Sequence, residues 1–155
     1  GVMTSGDVLV DANGVPLRSS DVKDGYALQL AVRLGYKVAV ITGGYSVSIE
    51  KRMAMLGVTD VFVRSANKVE VLERYLKTND LKLEQVVYMG DDLHDYPVMK
   101  MVALPVCPAD ASPEIKDISL YISNRNGGKG AVRDIIEQVL KAQDKWMKDF
   151  SCYIW

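Results

Sequence analysis

Short apolar runs alternate with segments of helical periodicity along most of this chain, and this alternation restricts the fold more than any other feature. The run KVAVIT at 37–42 is almost continuously apolar and rich in β-branched residues, which is typical of a strand buried on both faces of a sheet. Strands are predicted at 37–42, 60–63, 85–90, 102–107 and 119–123, and helices at 24–34, 46–56, 68–78, 92–101, 112–117 and 130–148. Such regular alternation predicts an α/β fold of the doubly wound, Rossmann-like kind, with a mainly parallel sheet and helices on both of its faces.

Two segments lie outside this alternation. In 6–20, apolar and polar residues alternate on both sides of Asn13-Gly14, a pair that tolerates the positive φ of a tight turn, so an N-terminal β-hairpin is predicted there. The tail at 146–155 is apolar and aromatic, and we expect it to dock onto another surface. Because every remaining connection is short, the chain is predicted to form one domain over 1–155 without a large cap domain.

The composition excludes several classes of function. With 155 residues, 48% of them hydrophobic and 25% charged, the chain can bury a core of ordinary size. A net charge of −1 and the lack of a basic stripe argue against nucleic-acid binding, and no apolar run reaches the roughly 18 residues that a membrane span needs. Cys107 and Cys152 lack the spacing of metal ligands and suggest no disulfide framework, so a cytoplasmic location is expected.

Polar side chains follow three of the predicted strands at their carboxyl ends, the edge where ligands bind to doubly wound sheets. Thr42 closes the first strand, Lys68 follows the second after a short loop, and Asp91-Asp92 comes directly after the third. Mg²⁺ prefers one or two carboxylates together with phosphate oxygens and water, and lysine neutralises phosphate as a point charge. The set therefore predicts a site for a phosphate held beside a divalent cation.

Each of these residues also has an ordinary structural explanation. Alone, Thr42 would be a strand-end residue, Lys68 a solvated helix lysine, and Asp91-Asp92 an N-cap with an acidic first turn. A second acid adds only repulsion to a cap, so the occurrence of all four in this chain order favours a functional site. A signalling receiver domain also gathers acids, a threonine and a lysine at one sheet edge, but there the acids come early in the chain and the lysine last.

Several stretches resemble the motifs of haloacid-dehalogenase-type phosphatases. VAVITGG at 38–44, Lys68 and YMGDDLHD at 88–95 are similar to the second, third and fourth motifs of that family. DVKDGYALQLA at 21–31 and GGKGAVRDIIEQVLKAQ at 127–143 resemble one subfamily, the 3-deoxy-D-manno-octulosonate 8-phosphate phosphatases of lipopolysaccharide precursor synthesis. The resemblance covers nearly the whole chain and implies the fold predicted above.

The resemblance implies a Mg²⁺-dependent phosphatase in which an aspartate attacks phosphorus and forms an aspartyl-phosphate that water then hydrolyses. Asp91 would be a Mg²⁺ ligand, Asp92 would orient Lys68 or a metal-bound water, and Lys68 would offset phosphoryl charge. The phosphoryl group would be held by the Thr42 hydroxyl and by the backbone N–H groups of Gly43 and Gly44. Asp95 is expected to be a solvated acid of a helical first turn, and His94 a surface residue.

The implied substrate is a phosphorylated 3-deoxy-2-keto sugar acid. The segment 21–25 matches a substrate-contacting loop, and the implied substrate-binding residues, besides Gly43 and Gly44, are Lys23, Asp24, Gly25, Arg52 and Lys129. Because Lys23 and Gly44 stand where many relatives carry arginine, the eight-carbon 3-deoxy-D-manno-octulosonate 8-phosphate and a nine-carbon analogue both remain open. Lys129 could serve its own site or that of a neighbouring subunit.

The family's first motif, Asp-x-Asp-Gly-Val, matches GVMTSG at 1–6 only in its last part. The resemblance therefore puts the nucleophilic aspartate, the acid–base aspartate and the central first strand upstream of Gly1, and loss of that strand would leave a buried slot in the sheet. A non-catalytic assembly module is the alternative if that motif is absent. The resemblance also implies a homotetramer in which the hairpins meet at the centre and the tails approach a neighbour's site.

Overall fold

In a computed structural model, which describes residues 1–153, short strands and helices follow one another in the predicted order. The strands are β1 (Leu9–Val10), β2 (Pro16–Leu17), β3 (Ala39–Ile41), β4 (Asp60–Phe62), β5 (Val87–Met89), β6 (Leu104–Cys107) and β7 (Tyr121–Ile122). The α-helices are α1 (Val22–Arg33), α2 (Val47–Met55), α3 (Lys68–Asn79), α4 (Tyr96–Met99), α5 (Pro113–Ile118) and α6 (Ala131–Ala142). Short 3₁₀ helices lie at Leu83–Gln85, Leu93–Asp95 and Phe150–Tyr153.

The five strands after α1 are parallel to their partners, which confirms the predicted α/β class. Hydrogen bonding divides them into two sheets, one formed by β3 and β4 and the other by β5, β6 and β7 in that order. Within residues 1–153, no backbone pairing joins β3 to β5.

Two apolar clusters contact both sheets and hold them together. The first contains Leu28, Met53, Leu56, Val58 and Val132, and it packs against Val40 of β3 and Met89 of β5. The second contains Leu72, Leu76, Val98 and Val102, and it packs against Ile41 of β3 and Tyr88 of β5. Because burial of apolar side chains needs no backbone pairing, shared packing keeps β3 and β5 in one body although they belong to separate sheets.

The predicted N-terminal hairpin is present, but its paired strands are shorter than the predicted range 6–20. Leu9 pairs with Leu17 in an antiparallel register, and the Asp11 carboxylate accepts the N–H groups of Asn13 and Val15 at 2.8 Å each. Gly14 adopts a φ of +78° at the turn, a conformation that glycine reaches without steric cost. The hairpin stands away from the core, since Leu9 is 67% exposed and Leu17 52% exposed.

Local capping and turns explain where the helix boundaries differ from those predicted. Helix α1 begins at Val22 because the side chain of Asp21 accepts the N–H groups of Lys23 and Asp24 as an N-cap. The helix predicted at 92–101 is instead a 3₁₀ turn followed by the single-turn α4. Helix α6 ends at Ala142 rather than at 148 because the chain turns back, with the N–H of Lys145 donating to the Leu140 carbonyl at 2.7 Å.

A buried carboxylate joins α1 to α6. Asp24 is fully buried, and its two oxygens accept the backbone N–H groups of Gly130 at 3.1 Å and Arg133 at 2.7 Å, at the start of α6. Burial raises the pKa of Asp24, although these N–H groups favour the charged carboxylate. The acid therefore satisfies donors that the first turn of any helix leaves without an intrahelical partner.

The C-terminal tail packs onto its own chain up to residue 153. Trp146 and Phe150 each contact the ring of Tyr153, and the guanidinium of Arg133 lies 5.0 Å from the Trp146 ring centroid. This confirms docking of the described part of the tail, while residues 154–155 of the predicted segment lie outside the described residues. Cys107 and Cys152 are both free thiols. None of the helices in the described part of the chain has the length and apolar character needed to cross a membrane.

Replacing Asp24 by alanine is expected to destabilise the fold without touching the site at the sheet edge. Two partly buried N–H groups would lose their acceptors, and each such loss costs about 1–3 kcal/mol, so we expect the free energy of unfolding to fall by roughly 2–4 kcal/mol. Urea titration followed by circular dichroism measures this change. The exposed Asp7→Ala is the matched control, and an Asp24→Ala loss as small as that of the control would contradict the capping role.

Candidate active site

Thr42 lies where β3 ends and is fixed by backbone hydrogen bonds to the loop after β4. Its N–H donates to the Phe62 carbonyl at 2.8 Å, and its own carbonyl accepts the N–H of Ser65 at 2.9 Å. The hydroxyl accepts the N–H of Gly44 at 3.2 Å. Thr42 is half-buried, and Gly43 and Gly44 are exposed. The hydroxyl and the two glycines thus form a short polar loop at the carboxyl end of β3, as the sequence predicts.

Lys68 and Asp95 form a buried ion pair beside this loop. Lys68 begins α3, directly after the N-cap Asn67, and is only 8% exposed. Its ammonium lies 2.6 Å from Oδ1 of Asp95, which is 2% exposed. The Tyr88 hydroxyl donates to the same oxygen at 2.8 Å, and the N–H of Asp91 donates to Oδ2 at 3.1 Å. Three donors, from α3, from β5 and from the loop after β5, therefore meet at one carboxylate.

The electrostatics of this cluster keep Asp95 charged. Burial alone would raise the pKa of Asp95, but the hydrogen bond and charge of Lys68, with the donors from Tyr88 and Asp91, outweigh burial and lower it. The pKa of Tyr88 is raised by burial and by the negative charge of Asp95. Tyr88 therefore remains a neutral donor while Asp95 remains an anion paired with the ammonium.

The structure gives Asp95 one of the two roles expected for Asp92. The prediction that Asp95 is solvated is wrong, because this acid is buried and contacts Lys68. Asp92 is exposed and accepts the N–H of Leu93 at 2.8 Å, as the cap of the 3₁₀ turn. The tight turn carries Asp95 back under the strand end, where Gly90 allows close contact because a Cβ there would lie 2.5 Å from the Asp95 Cβ.

Asp91 faces the start of the chain. Its backbone is held at both ends, by the N–H bond to Asp95 and by the N–H of Ser112, which donates to its carbonyl at 2.9 Å. The carboxylate is 22% exposed, and its Oδ2 lies 2.7 Å from the amino group of Gly1. A rigid, partly exposed carboxylate of this kind is suited to hold a cation.

The glycine-rich loop that precedes Lys129 holds the N-terminal segment in place. The N–H of Gly128 donates to the Val2 carbonyl at 2.9 Å. A Cβ at Gly127 would overlap the Gly1 carbonyl, and one at Gly128 would overlap the backbone of Thr4. The two glycines are needed because another backbone passes directly over them. No periodicity in the sequence indicates this contact, and only the adjacent glycines could have suggested a close approach.

The structure separates the residues expected to bind substrate. Lys23 and Lys129 are exposed, which leaves both free to meet a ligand. The assignment of Asp24 is wrong, because this carboxylate is fully buried and serves as the cap of α6. Likewise, residues 22–25 form the first turn of α1 rather than a loop. Gly25 is buried against the guanidinium of half-buried Arg52, which a Cβ at that position would overlap.

Comparison with known proteins decides the family. The model of haloacid dehalogenase-like hydrolases matches residues 27–136, more than half of the chain. The chain belongs to this family. As a haloacid dehalogenase-like hydrolase, it is similar over 145 residues to the 3-deoxy-D-manno-octulosonate 8-phosphate phosphatase of Yersinia pestis, with 37% identity, 94% of this chain and 78% of that protein covered. The family match decides against the receiver-domain alternative.

Solved structures agree with this assignment. The crystal structure of the Yersinia pestis phosphatase has a TM-score of 0.93 and 36% identity, covering 96% of this chain and 80% of that one. A 3-deoxy-D-manno-octulosonate 8-phosphate phosphatase from Moraxella catarrhalis, in complex with a magnesium ion, a phosphate ion and a KDO molecule, has a TM-score of 0.93 and 27% identity, covering 99% of this chain and 88% of that one.

The donor set of this hydrolase at the end of β5 fits Mg²⁺ through Asp91. Asp91, His94 and Asp95 bring ligand atoms within 4.8 Å of one another, but both Asp95 oxygens accept hydrogen bonds from inside the protein. His94 is exposed, as predicted, and its imidazole is a poorer partner than oxygen for so hard a cation. One fixed carboxylate open to solvent suffices, since Mg²⁺ in proteins retains waters and phosphate oxygens as its other ligands.

Replacing Asp95 by alanine is expected to destabilise the protein strongly near neutral pH. Lys68 would become an unpaired buried charge, which costs roughly 3–5 kcal/mol. Because the folded pKa of Asp95 is lowered, wild type should hold this advantage above about pH 4 and lose it as pH falls through the lowered value. Urea titrations of both proteins across this pH range measure the difference. The exposed Asp92→Ala is the control, and a difference that does not change with pH would contradict the ion pair.

Proposed function

We propose that this protein is a Mg²⁺-dependent phosphomonoesterase that hydrolyses 3-deoxy-D-manno-octulosonate 8-phosphate, in the cytoplasm and for lipopolysaccharide precursor synthesis. The observation that carries the proposal is the rigid Asp91 carboxylate, placed beside the buried Lys68–Asp95 pair at the carboxyl edge of the strands. Similarity along 94% of the chain to phosphatases with this substrate in their names supports the choice of substrate.

The residues of this chain would act chiefly by positioning and by stabilising charge. Asp91 would hold Mg²⁺, which supplies positive charge to the phosphoryl oxygens when bound. Asp92, exposed beside it, would orient a water of the metal. The Thr42 hydroxyl would donate to a phosphoryl oxygen, and the N–H groups of Gly43 and Gly44 would line the same loop. Lys68, held in place by Asp95, would lower the cost of negative charge at the reacting phosphorus.

The nucleophile and the acid–base group are proposed to come from an Asp-x-Asp motif that precedes Gly1 in the full-length protein. The contact between the amino group of Gly1 and Asp91 supports this proposal, since a chain continuing from that atom begins within 2.7 Å of the cation-binding carboxylate. The unpaired edges of β3 and β5 offer backbone groups to an additional parallel strand. An aspartate at the end of such a strand would reach the phosphorus beside Asp91.

Recognition of the sugar acid is proposed for the positively charged residues around the site. Lys23, Arg52 and Lys129 are candidates because the two lysines are exposed and Arg52 is fixed against Gly25. A lysine reaches a carboxylate as a point charge, without the bidentate geometry of arginine. A nine-carbon analogue is therefore the second candidate substrate, and comparing kcat/KM for the two sugar acids decides between them.

Replacing Asp91 by asparagine in the full-length protein is expected to abolish Mg²⁺-dependent phosphate release. The neutral amide would bind the cation poorly, so kcat should fall about 10²–10³-fold, in the range seen when a charge-stabilising group is lost. A colorimetric assay of phosphate release with and without chelator measures this effect. Asp7→Asn is the control for an exposed acid away from the site. Release that persists in chelator would contradict the proposal, and no release from wild type would favour a non-catalytic assembly module.

We propose a homotetramer assembled through the hairpin. Leu9, Val10 and Leu17 are between 52% and 67% exposed, and a two-stranded hairpin is marginally stable in water without a packing partner. Exposed apolar patches of this kind mark surfaces that bind other proteins. Copies of the same hairpin would bury these residues against one another at the centre of the assembly, and the tails are proposed to approach neighbouring sites.

Placing a charge in the hairpin is expected to dissociate the tetramer. Leu9→Asp would bury a carboxylate in the apolar contact, and each isolated charge there costs several kcal/mol. Light scattering coupled to size-exclusion chromatography measures the mass of both forms. Leu120→Asp is a matched control, since Leu120 is 71% exposed and far from the hairpin in sequence. A wild-type protein that is monomeric at micromolar concentration would contradict the assembly.

A further inference from the structure

Arg64 adopts a backbone conformation that arginine rarely takes. It follows β4, and its φ is +53°, in the left-handed region that sterically favours glycine. The other non-glycine residues with positive φ include Asp80, which closes the C-terminus of α3, where this conformation is common. Arg64 caps no helix. Residues held in sparsely populated conformations concentrate at functional sites, so the conformation of Arg64 indicates a functional role.

The strained turn is attached to the phosphoryl-binding loop. The N–H of Arg64 donates to the Gly44 carbonyl at 3.2 Å, and the N–H of the next residue, Ser65, donates to the Thr42 carbonyl at 2.9 Å. Gly43 is also close, because a Cβ there would lie 3.8 Å from the Ser65 carbonyl oxygen. These contacts fix the backbone of Arg64 against the loop formed by Thr42, Gly43 and Gly44.

The side chain of Arg64 is exposed and has no acidic partner. Its guanidinium carbon lies 4.2 Å from the centroid of the Tyr45 ring, and Tyr45 is itself 48% exposed. Among residues 1–153, no carboxylate forms an ion pair with Arg64. Stacking on an aromatic ring restricts the guanidinium while leaving its N–H groups available for hydrogen bonds. The result is a pre-oriented cation at the rim of the site.

We propose that Arg64, stacked on Tyr45, binds the carboxylate of the sugar-acid substrate and selects acidic from neutral sugar phosphates. This inference rests on the proposed function. Under the proposed function the phosphoryl group would be held by the Thr42 hydroxyl, the Gly43 N–H and Lys68, since the Gly44 N–H already donates to Thr42. The other anionic group of the substrate needs a cation at the rim, and a guanidinium fork matches a carboxylate in a bidentate manner.

The open space at Gly44 allows the role of the guanidinium to be tested by placing an arginine at position 44 instead of position 64. A Cβ at Gly44 would meet only the Thr42 hydroxyl oxygen, at 3.6 Å, and Gly44 has no positive φ. A side chain can therefore be added at position 44 without strain. An arginine there would start from the residue to which Arg64 is hydrogen-bonded and could reach the same rim.

The test compares two substrates in the full-length protein and its Arg64→Gly variant. One substrate is 3-deoxy-D-manno-octulosonate 8-phosphate, and the other is arabinose 5-phosphate, which has no carboxylate. We expect kcat/KM for the sugar acid to fall about 10–100-fold in Arg64→Gly, mainly through KM, as for loss of a charged hydrogen bond. For arabinose 5-phosphate we expect less than a threefold change. Glycine should also leave the melting temperature unchanged or higher, because it relieves the positive φ.

Two further variants serve as a charge control and as a rescue test. Arg74→Gln removes one exposed positive charge from α3 and should change kcat/KM for both substrates less than threefold. Arg64→Gly combined with Gly44→Arg should recover at least a third of wild-type kcat/KM for the sugar acid. An equal loss for both substrates in Arg64→Gly would place the guanidinium on the phosphoryl group and overturn the proposal, as would no loss for either.

Direct binding separates failure of this inference from failure of the proposed function. Calorimetric titration with 3-deoxy-D-manno-octulosonate itself requires no catalysis, and the affinity should fall about tenfold or more in Arg64→Gly. If wild type hydrolyses neither phosphate yet binds the sugar acid through Arg64, the phosphatase proposal fails and the assignment of Arg64 stands. If hydrolysis is normal and Arg64→Gly binds as tightly as wild type, only the assignment of Arg64 fails.

Discussion

The buried ion pair between Lys68 and Asp95 is the interaction on which the geometry of the site depends. Lys68 follows β4 and Asp95 follows β5, so their 2.6 Å contact joins two sheets between which residues 1–153 form no backbone pairing. A buried pair gains little net stability, because desolvation offsets most of the attraction, whereas breaking it is costly. The ion pair instead fixes positions. The Asp95 carboxylate that holds the Lys68 ammonium also accepts the N–H of Asp91, so the distance between Lys68 and Asp91 is fixed.

The sequence predicted those parts of the site that are placed by the carboxyl ends of parallel strands. The carboxyl ends of such strands lie along one edge, and chain order alone therefore indicated Thr42, Lys68 and Asp91. The choice between Asp92 and Asp95 was not predictable in this way. Both acids follow β5 within six residues, and the 3₁₀ turn at Leu93–Asp95, rather than the regular helix expected at 92–101, decides which of them is buried.

Contacts between distant segments account for what the sequence did not reveal. The alternation of strands and helices was predicted because it depends on local periodicity, and the element order follows it closely. In the stretch that begins at Gly127 only Lys129 was expected to bind substrate, and the sequence did not indicate that Gly127 and Gly128 make room for the first residues of the chain. The sequence did not indicate a role for Arg64. Neither its positive φ nor its hydrogen bond to the Gly44 carbonyl can be predicted from a loop of ordinary composition.

The cap that Asp24 provides also limits the order in which this protein can fold during synthesis. Its hydrogen-bond donors lie 106 and 109 residues further along the chain, so α6 must leave the ribosome before the carboxylate can be buried with partners. Until then, hydration of Asp24 opposes closure of the core around α1. Folding by stepwise addition from the N-terminus is therefore disfavoured, and the nascent chain should depend on chaperones that keep α1 from premature aggregation.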